Sequence, residues 1–180
     1  DIPDKKEVKY RYDDGLVAFV EMINDNKKPL HKVFTFSGSK NNIEVDIAFQ
    51  YTDSYNESIV SFVNNVKTTD GGSHEVGFKT AFTKVFNAKN NGFFKGKDKS
   101  FDGSDVREGI TAVISLKIPE SLLQFEGQTK SKLGTPSAKT AVEAVVSEQL
   151  LFFLEENKAI ATEIVEKALK SKLAREAARK

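Results

Sequence analysis

Apolar residues recur along this chain with two periods, and the switches between them outline its elements. In "GLVAFVEMIND", Leu16, Phe19, Val20 and Ile23 lie at helical spacing, which predicts a short amphipathic helix. "KVFTFSG" reads as a strand ending at Gly38, with a turn in "GSKNN". "IEVDIAFQY" alternates: Ile43, Val45, Ile47, Phe49 and Tyr51 share one face, while Glu44, Asp46, Ala48 and Gln50 share the other. That pattern predicts a strand with one buried and one wet face. "SIVSFVNNV" is another strand, and the intervening "TDSYNE" suits a hairpin-type connection.

The period then lengthens. Phe78, Ala81, Phe82, Val85 and Phe86 form the core-facing stripe of a helix, preceded by an Asp70-Gly71-Gly72-Ser73 turn with Ser73 as a candidate cap. "AKNNGFFKGKDKSFDGSD" is polar, basic and glycine-bearing, and reads as a mobile loop. Ile110, Ala112, Ile114, Leu116 and Ile118 mark a fourth strand. The polar loop "QFEGQTKSKLGT" follows, and Thr135-Pro136 then starts a long helix, with Thr135 as cap and proline where no amide is needed. This helix runs to about Asn157, and a second begins beyond it. The second helix loses its apolar positions after Leu173, so its last turns are expected to leave the domain. The order of elements predicts an α+β fold on a four-stranded sheet.

Composition removes whole classes of chemistry. There is no cysteine, so disulfides, thiolate metal sites and thiol catalysis are excluded, in keeping with a reducing cytosol. His31 and His74 have no ligand-like spacing, so no metal site is expected. No apolar run is long enough to span a membrane, and the charged opening residues do not read as a secretory leader. Net charge is +1, which provides no global field for nucleic acid, but residues 166–180 carry six basic and two acidic side chains, a local basic arm.

Two glycine-bearing stretches invite a nucleotide-site reading. "GQTKSKLG" lacks the Walker spacing, so it cannot be a self-sufficient phosphate loop; it can be a tip that completes the site of another domain, or a solvated turn. "DGGSH" can place an anion at a helix start, or can simply permit positive φ in a tight turn. The 14 phenylalanines are core, because their strands lack the interleaved basic residues of an RNA-stacking platform.

At "YTDSYNESIVSFVNNVKTTDGGSHEVGF", "GSDVREGITAVISLKIPESLLQFEGQTKSKLGTPSAK" and "AREAARK" the chain resembles the transducer, the second domain of the ATP-bearing B subunit of bacterial type IIA topoisomerases. "IPESLLQFEG" and "VSEQLLFFLEEN" are more similar to the topoisomerase IV branch than to gyrase. The resemblance implies a fold like domain 2 of ribosomal protein S5, with a four-stranded sheet, helices on one side, long C-terminal helices and a left-handed βαβ crossover. It implies a transducer over residues 1–157 and a helical extension over 158–180, leading toward a metal-binding TOPRIM domain outside this sequence. The ATPase domain, which would hold ATP and Mg2+, would also lie outside.

The resemblance further implies that Gln128 and Lys130 reach across to the γ-phosphate of ATP, with Lys130 completing the ATPase site. It places Lys79 on the wall of a cavity for duplex DNA. Implied partners are the protein's own ATPase and TOPRIM domains, a second copy of the B subunit, the A subunit of topoisomerase IV or gyrase, and double-stranded DNA, in the bacterial cytoplasm at the nucleoid. The function implied is energy coupling for strand passage, relaxation and decatenation, or supercoiling in the gyrase case, with this stretch inactive alone. Lys95, Lys97 and Lys99 are further candidates for DNA contact. The competing class is an independent nucleic-acid-binding module of S5-like fold.

Overall fold

The computed structural model describes residues 15–89, 101–125 and 132–178. A helix over 15–23 (α1) precedes strands β1 (Phe34–Lys40), β2 (Ile43–Tyr51), β3 (Ser58–Val63) and β4 (Val66–Lys67). Then come α2 (Ser73–Lys89), α3 (Gly103–Arg107), β5 (Ile110–Lys117), α4 (Pro136–Glu156) and α5 (Lys158–Ala178). The strands form one mixed sheet in the order β1-β2-β5-β3-β4.

That order corrects two expectations. β2 and β3 are not a hairpin, because β5 inserts between them, antiparallel to β2 and parallel to β3. A parallel pair needs a crossover, and the connection through α2 supplies it. The sheet also has five strands, not four. Asn64 and Asn65, at φ 50° and 70°, turn the chain in a two-residue hairpin, so "SFVNNV" is a strand, a turn and a short edge strand. Asn41 and Asn42, at φ 57° and 65°, do the same between β1 and β2, extending β1 past Gly38 to Lys40. Positive φ at both turn residues matches the twist of the flanking strands, and asparagine tolerates it.

Helices do not lie on one side only. The main core packs α2 and α4 on one face around Phe49, whose ring meets Phe36, Phe82 and Phe153 at centroid distances of 5.0, 5.7 and 5.4 Å. All five stripe residues of α2 are buried here. On the other face, Leu16 and Val20 of α1 cover Ala48 and Val113, with Phe19, Ile23, Val60 and Phe62 packed around them. Val60, Phe62 and Val113 would otherwise leave an apolar surface in water.

The predicted wet face of β2 is therefore wet only toward its start. Glu44 is exposed, whereas Gln50 is 6% exposed. Its amide accepts from Asn24 Nδ2 at 2.8 Å and donates to the His31 carbonyl at 2.7 Å, and Asn24 Oδ1 accepts from Thr111 at 2.6 Å. A buried amide without partners would cost about 1–3 kcal/mol, so this network is what permits α1 to end on the sheet.

Residues read as a loop before β5 include structure as well. Phe101 is 3% exposed, and α3 follows it. The terminal helix leaves the core only gradually: Ile164, Val165 and Ala168 are buried, Leu173 is exposed, and Arg175 turns back to α3.

Candidate functional site

The 126–131 stretch, with Gln128 and Lys130, lies outside the described residues, but both of its flanks are described. They form a clamp. Phe125 bridges Leu133 antiparallel, and Leu133 bridges Gly72 in the parallel sense. Leu133 is fully buried; its N–H donates to the Gly71 carbonyl at 3.0 Å, and its own carbonyl accepts from Ser73 N–H at 2.8 Å. Gly134 N–H donates to the Gln124 carbonyl at 2.7 Å, closing the stem.

Thr135 and Ser73 reinforce this clamp instead of capping their helices. The Thr135 hydroxyl donates to the Leu122 carbonyl at 2.8 Å and accepts from Gln124 N–H at 2.9 Å. Ser73 donates its hydroxyl to the Thr135 carbonyl at 2.6 Å. Pro136 opens α4, as the spacing predicts.

The double glycine has a steric reason. Gly72 sits at φ +139°, and a Cβ there would lie 2.2 Å from the Leu133 carbonyl oxygen. Of the two readings of "DGGSH", the structure favours the tight turn: the Ser73 N–H at the helix start is already taken by Leu133, not offered to an anion. Gly77, one turn on, plays the same part for α4, since a Cβ would fall 2.5 Å from the Lys139 carbonyl. Glycines thus set how closely α2 approaches both the stem and α4.

His74 lies beneath this clamp, fully buried. Nε2 is 3.0 Å from the Thr68 hydroxyl, which is 2.6 Å from Ser61 Oγ, and Ser61 donates to Glu75 at 2.5 Å. No partner for Nδ1 is found among the described residues. Burial lowers its pKa to about 4, so the ring is neutral at pH 7. His31 is likewise lowered by burial, against an opposing hydrogen bond to the Lys32 carbonyl. Its Nε2 accepts from Tyr51 N–H at 3.0 Å. Both histidines are core groups with satisfied or buried nitrogens; His74 stands on α2 and His31 in the connection before β1.

Lys79 lies half-exposed on α2, at the edge of the buried stripe, with its carbonyl accepting from Thr83 at 2.9 Å. Lys95, Lys97 and Lys99 lie outside the described residues. Among the described residues, no group of three or more acidic or histidine side chains converges as a metal site would require.

Residues 15–180 match the family model for DNA gyrase B. The chain belongs to that family, the B subunits of type IIA topoisomerases. The B subunit of DNA topoisomerase 4 from Staphylococcus epidermidis is 58% identical over 176 residues, covering 97% of this chain and 26% of that protein. The chain thus spans about a quarter of the length of such B subunits. Among solved structures, the 43K ATPase domain of Thermus thermophilus gyrase B, in complex with an aminocoumarin, superposes with a TM-score of 0.83 at 40% identity. The match covers 92% of this chain and 44% of that one. The topoisomerase IV ATP-binding domain of Francisella tularensis gives a TM-score of 0.75 at 26% identity, covering 89% of this chain and 43% of that one.

Within this member of the gyrase B family, the sequence pattern missed the residues that hold the loop, as opposed to those at its tip. Leu133 looks like a lone apolar residue, and only the paired glycines some 60 positions earlier hint at a close approach. It also missed Asp105 and Arg175, which meet at the opposite end of α2. Asp105 is 2% exposed, and its oxygens accept from Arg175 Nη2 at 2.9 Å, Arg175 Nε at 3.3 Å, Ser171 at 3.1 Å and Asp102 N–H at 2.9 Å. No local pattern links positions 70 residues apart.

Proposed function

We propose that this chain is the transducer domain of an ATP-dependent type IIA topoisomerase, of the topoisomerase IV branch, with an S5 domain 2-like fold. Its 126–131 loop senses the γ-phosphate of ATP bound in a neighbouring ATPase domain. The observation that carries this reading is the clamp on Phe125 and Leu133, because a sensing tip transmits force only from a stem that does not yield. The parallel β3–β5 pair joined through α2 supports the fold assignment, and the identity to the topoisomerase 4 relative supports the branch. The corresponding domain of gyrase B is the alternative. The Thermus and Francisella structures are more than twice as long as the stretch matched, which leaves room for a nucleotide-binding domain beside it.

In this reading Lys130 brings a compact positive charge to the terminal phosphate, and Gln128 orients it. A hydrogen bond to a charged group contributes about 1.5–3 kcal/mol. The contact exists with triphosphate and weakens with diphosphate, which is the difference needed to bias a domain orientation. About 3 kcal/mol shifts a two-state ratio by roughly 150-fold. During hydrolysis the Lys130 ammonium also stabilises negative charge on the transferring phosphoryl group. Mg2+ bound by the ATPase domain would neutralise further phosphate charge.

Residues 1–157 form the transducer, and 158–180 lead toward the TOPRIM domain. The break at Asn157, where φ −125° and ψ 60° interrupt the helix, supports that boundary. A second copy of the B subunit, the A subunit of topoisomerase IV or gyrase, and a transported duplex contacted by Lys79 complete the cytoplasmic assembly.

The test is Lys130→Ala in the holoenzyme reconstituted from full-length A and B subunits. DNA-stimulated ATP hydrolysis is expected to fall by about 100-fold, in line with the loss of a charge-assisted contact, while circular dichroism stays unchanged. Unaltered turnover would remove the sensor role. Gln128→Ala should lower strand passage per ATP more than hydrolysis itself.

A further inference from the structure

The two ends of α2 touch different machinery. Its start holds the loop stem through Ser73 and the Gly71-Gly72 turn just before it. Its last turns carry Asn87, whose side chain grips the Phe101 backbone twice: Oδ1 accepts from the N–H at 2.7 Å, and Nδ2 donates to the carbonyl at 3.3 Å. Phe101 leads directly into α3, where Asp105 receives the Arg175 fork and the Ser171 hydroxyl from α5. Arg175 Nη1 also reaches Asp102 at 3.2 Å. With 17 residues, α2 is a rod about 25 Å long.

We propose that α2 is a push-rod between the phosphate-sensing loop and α5, and that Asp105 and Arg175, with Asn87, are positioning residues for energy coupling. The inference rests on the sensor reading above. A displacement of the stem is borne by the first turn of α2, because Gly72 and Leu133 touch backbone to backbone and leave no slack. The rod does not bend under that load, since its stripe is packed along its length against the core of the domain. At the far end, a bidentate guanidinium–carboxylate pair fixes direction as well as distance, which a single lysine contact would not do. Asp105 is almost fully buried, so water does not compete at its oxygens and the joint does not slip. Hydrolysis at one end is thereby converted into a set orientation of the helix that leads out of the domain at the other.

Spatial continuity alone does not prove coupling, so the test reads coupling directly. In the holoenzyme, strand-passage events per ATP hydrolysed are measured for wild type, Arg175→Ala, Arg175→Lys and Asn87→Ala, with melting temperature alongside. Arg175→Ala is expected to keep ATP turnover within about twofold while lowering passage per ATP by roughly tenfold, the size of a lost charged contact. Arg175→Lys keeps the charge but not the fork and should fall between. Unchanged passage per ATP in Arg175→Ala and Asn87→Ala would overturn the proposal, as would a parallel loss of turnover and passage that tracks melting temperature. The sensor reading fails separately, on Lys130→Ala turnover. A normal Lys130→Ala enzyme sinks both ideas, whereas an impaired one with fully coupled Arg175→Ala sinks only the push-rod.

Discussion

The start of α2 and the α3–α5 joint beyond its end are held by opposite means. At the start of α2, the contacts are backbone to backbone, with Leu133 wedged against Gly71, Gly72 and Ser73, and no charge takes part in those bonds. At the α3–α5 joint, the contacts are side-chain and ionic: Arg175 on Asp105 and Asp102, and Lys167 on Glu108 at 3.4 Å, with Arg107 on Glu57 at 3.0 Å beside them. Backbone packing is indifferent to salt and fails abruptly when a single atom is added. Ion pairs at a rim are weakened by salt and can be tuned by degrees. The loop stem is therefore held by packing and backbone hydrogen bonds, and the α3–α5 joint by charge, buried at Asp105 and more exposed at Asp102 and Glu57.

Gly72→Ala is the sharpest way to break the first half of this contrast. The added methyl meets the Leu133 carbonyl at 2.2 Å in a backbone conformation closed to L-residues. Strain and overpacking together should cost about 2–6 kcal/mol, read as a lower urea midpoint. Gly15→Ala, where nothing lies within 4 Å, is the control and should be silent.

Acidification probes the same end. His74 has an ordinary pKa of 6.5 and a folded value of about 4, so between those pH values the unfolded chain binds the extra proton. Stability is complete above pH 6.5, falls as pH drops, and levels near pH 4, with a total loss of about 3 kcal/mol. His31, also lowered, adds a loss of the same sign. In denaturation curves taken across this window, His74→Gln should remove most of the slope. An unaltered slope would place the titration elsewhere.

Salt sharpens the second half and carries the smallest effect. Raising ionic strength should speed amide exchange in α5 beyond Ile164 while leaving Leu133 and Ser73 protected, because only the former is held in part by partly exposed pairs, Arg175 with Asp102 and Lys167 with Glu108. Equal acceleration in both regions would erase the contrast.

Much of this arrangement is written locally. The α2 stripe, the Pro136 start and the break near Asn157 follow from spacing and from proline chemistry, which act over a few residues, and the structure places all three as expected, although Thr135 does not cap. Gln128, Lys130 and Lys79 stand out only through resemblance, since a lysine in a polar loop has no chemistry that periodicity can reveal. Two features are legible but easily misread. The Asn41-Asn42 and Asn64-Asn65 pairs are hairpin signals, and the buried Ala48 and Gln50 on the supposed wet face of β2 signal a second cover.

What the order of residues determined by itself was the kind of the longer elements and the apolar stripe of α2, because those depend on near neighbours along the chain. Which strands pair, why Gly72 cannot have a side chain, and how Asp105 finds Arg175 were decided only in three dimensions. Each depends on atoms distant in the chain coming within contact range, and short-range periodicity does not record such meetings.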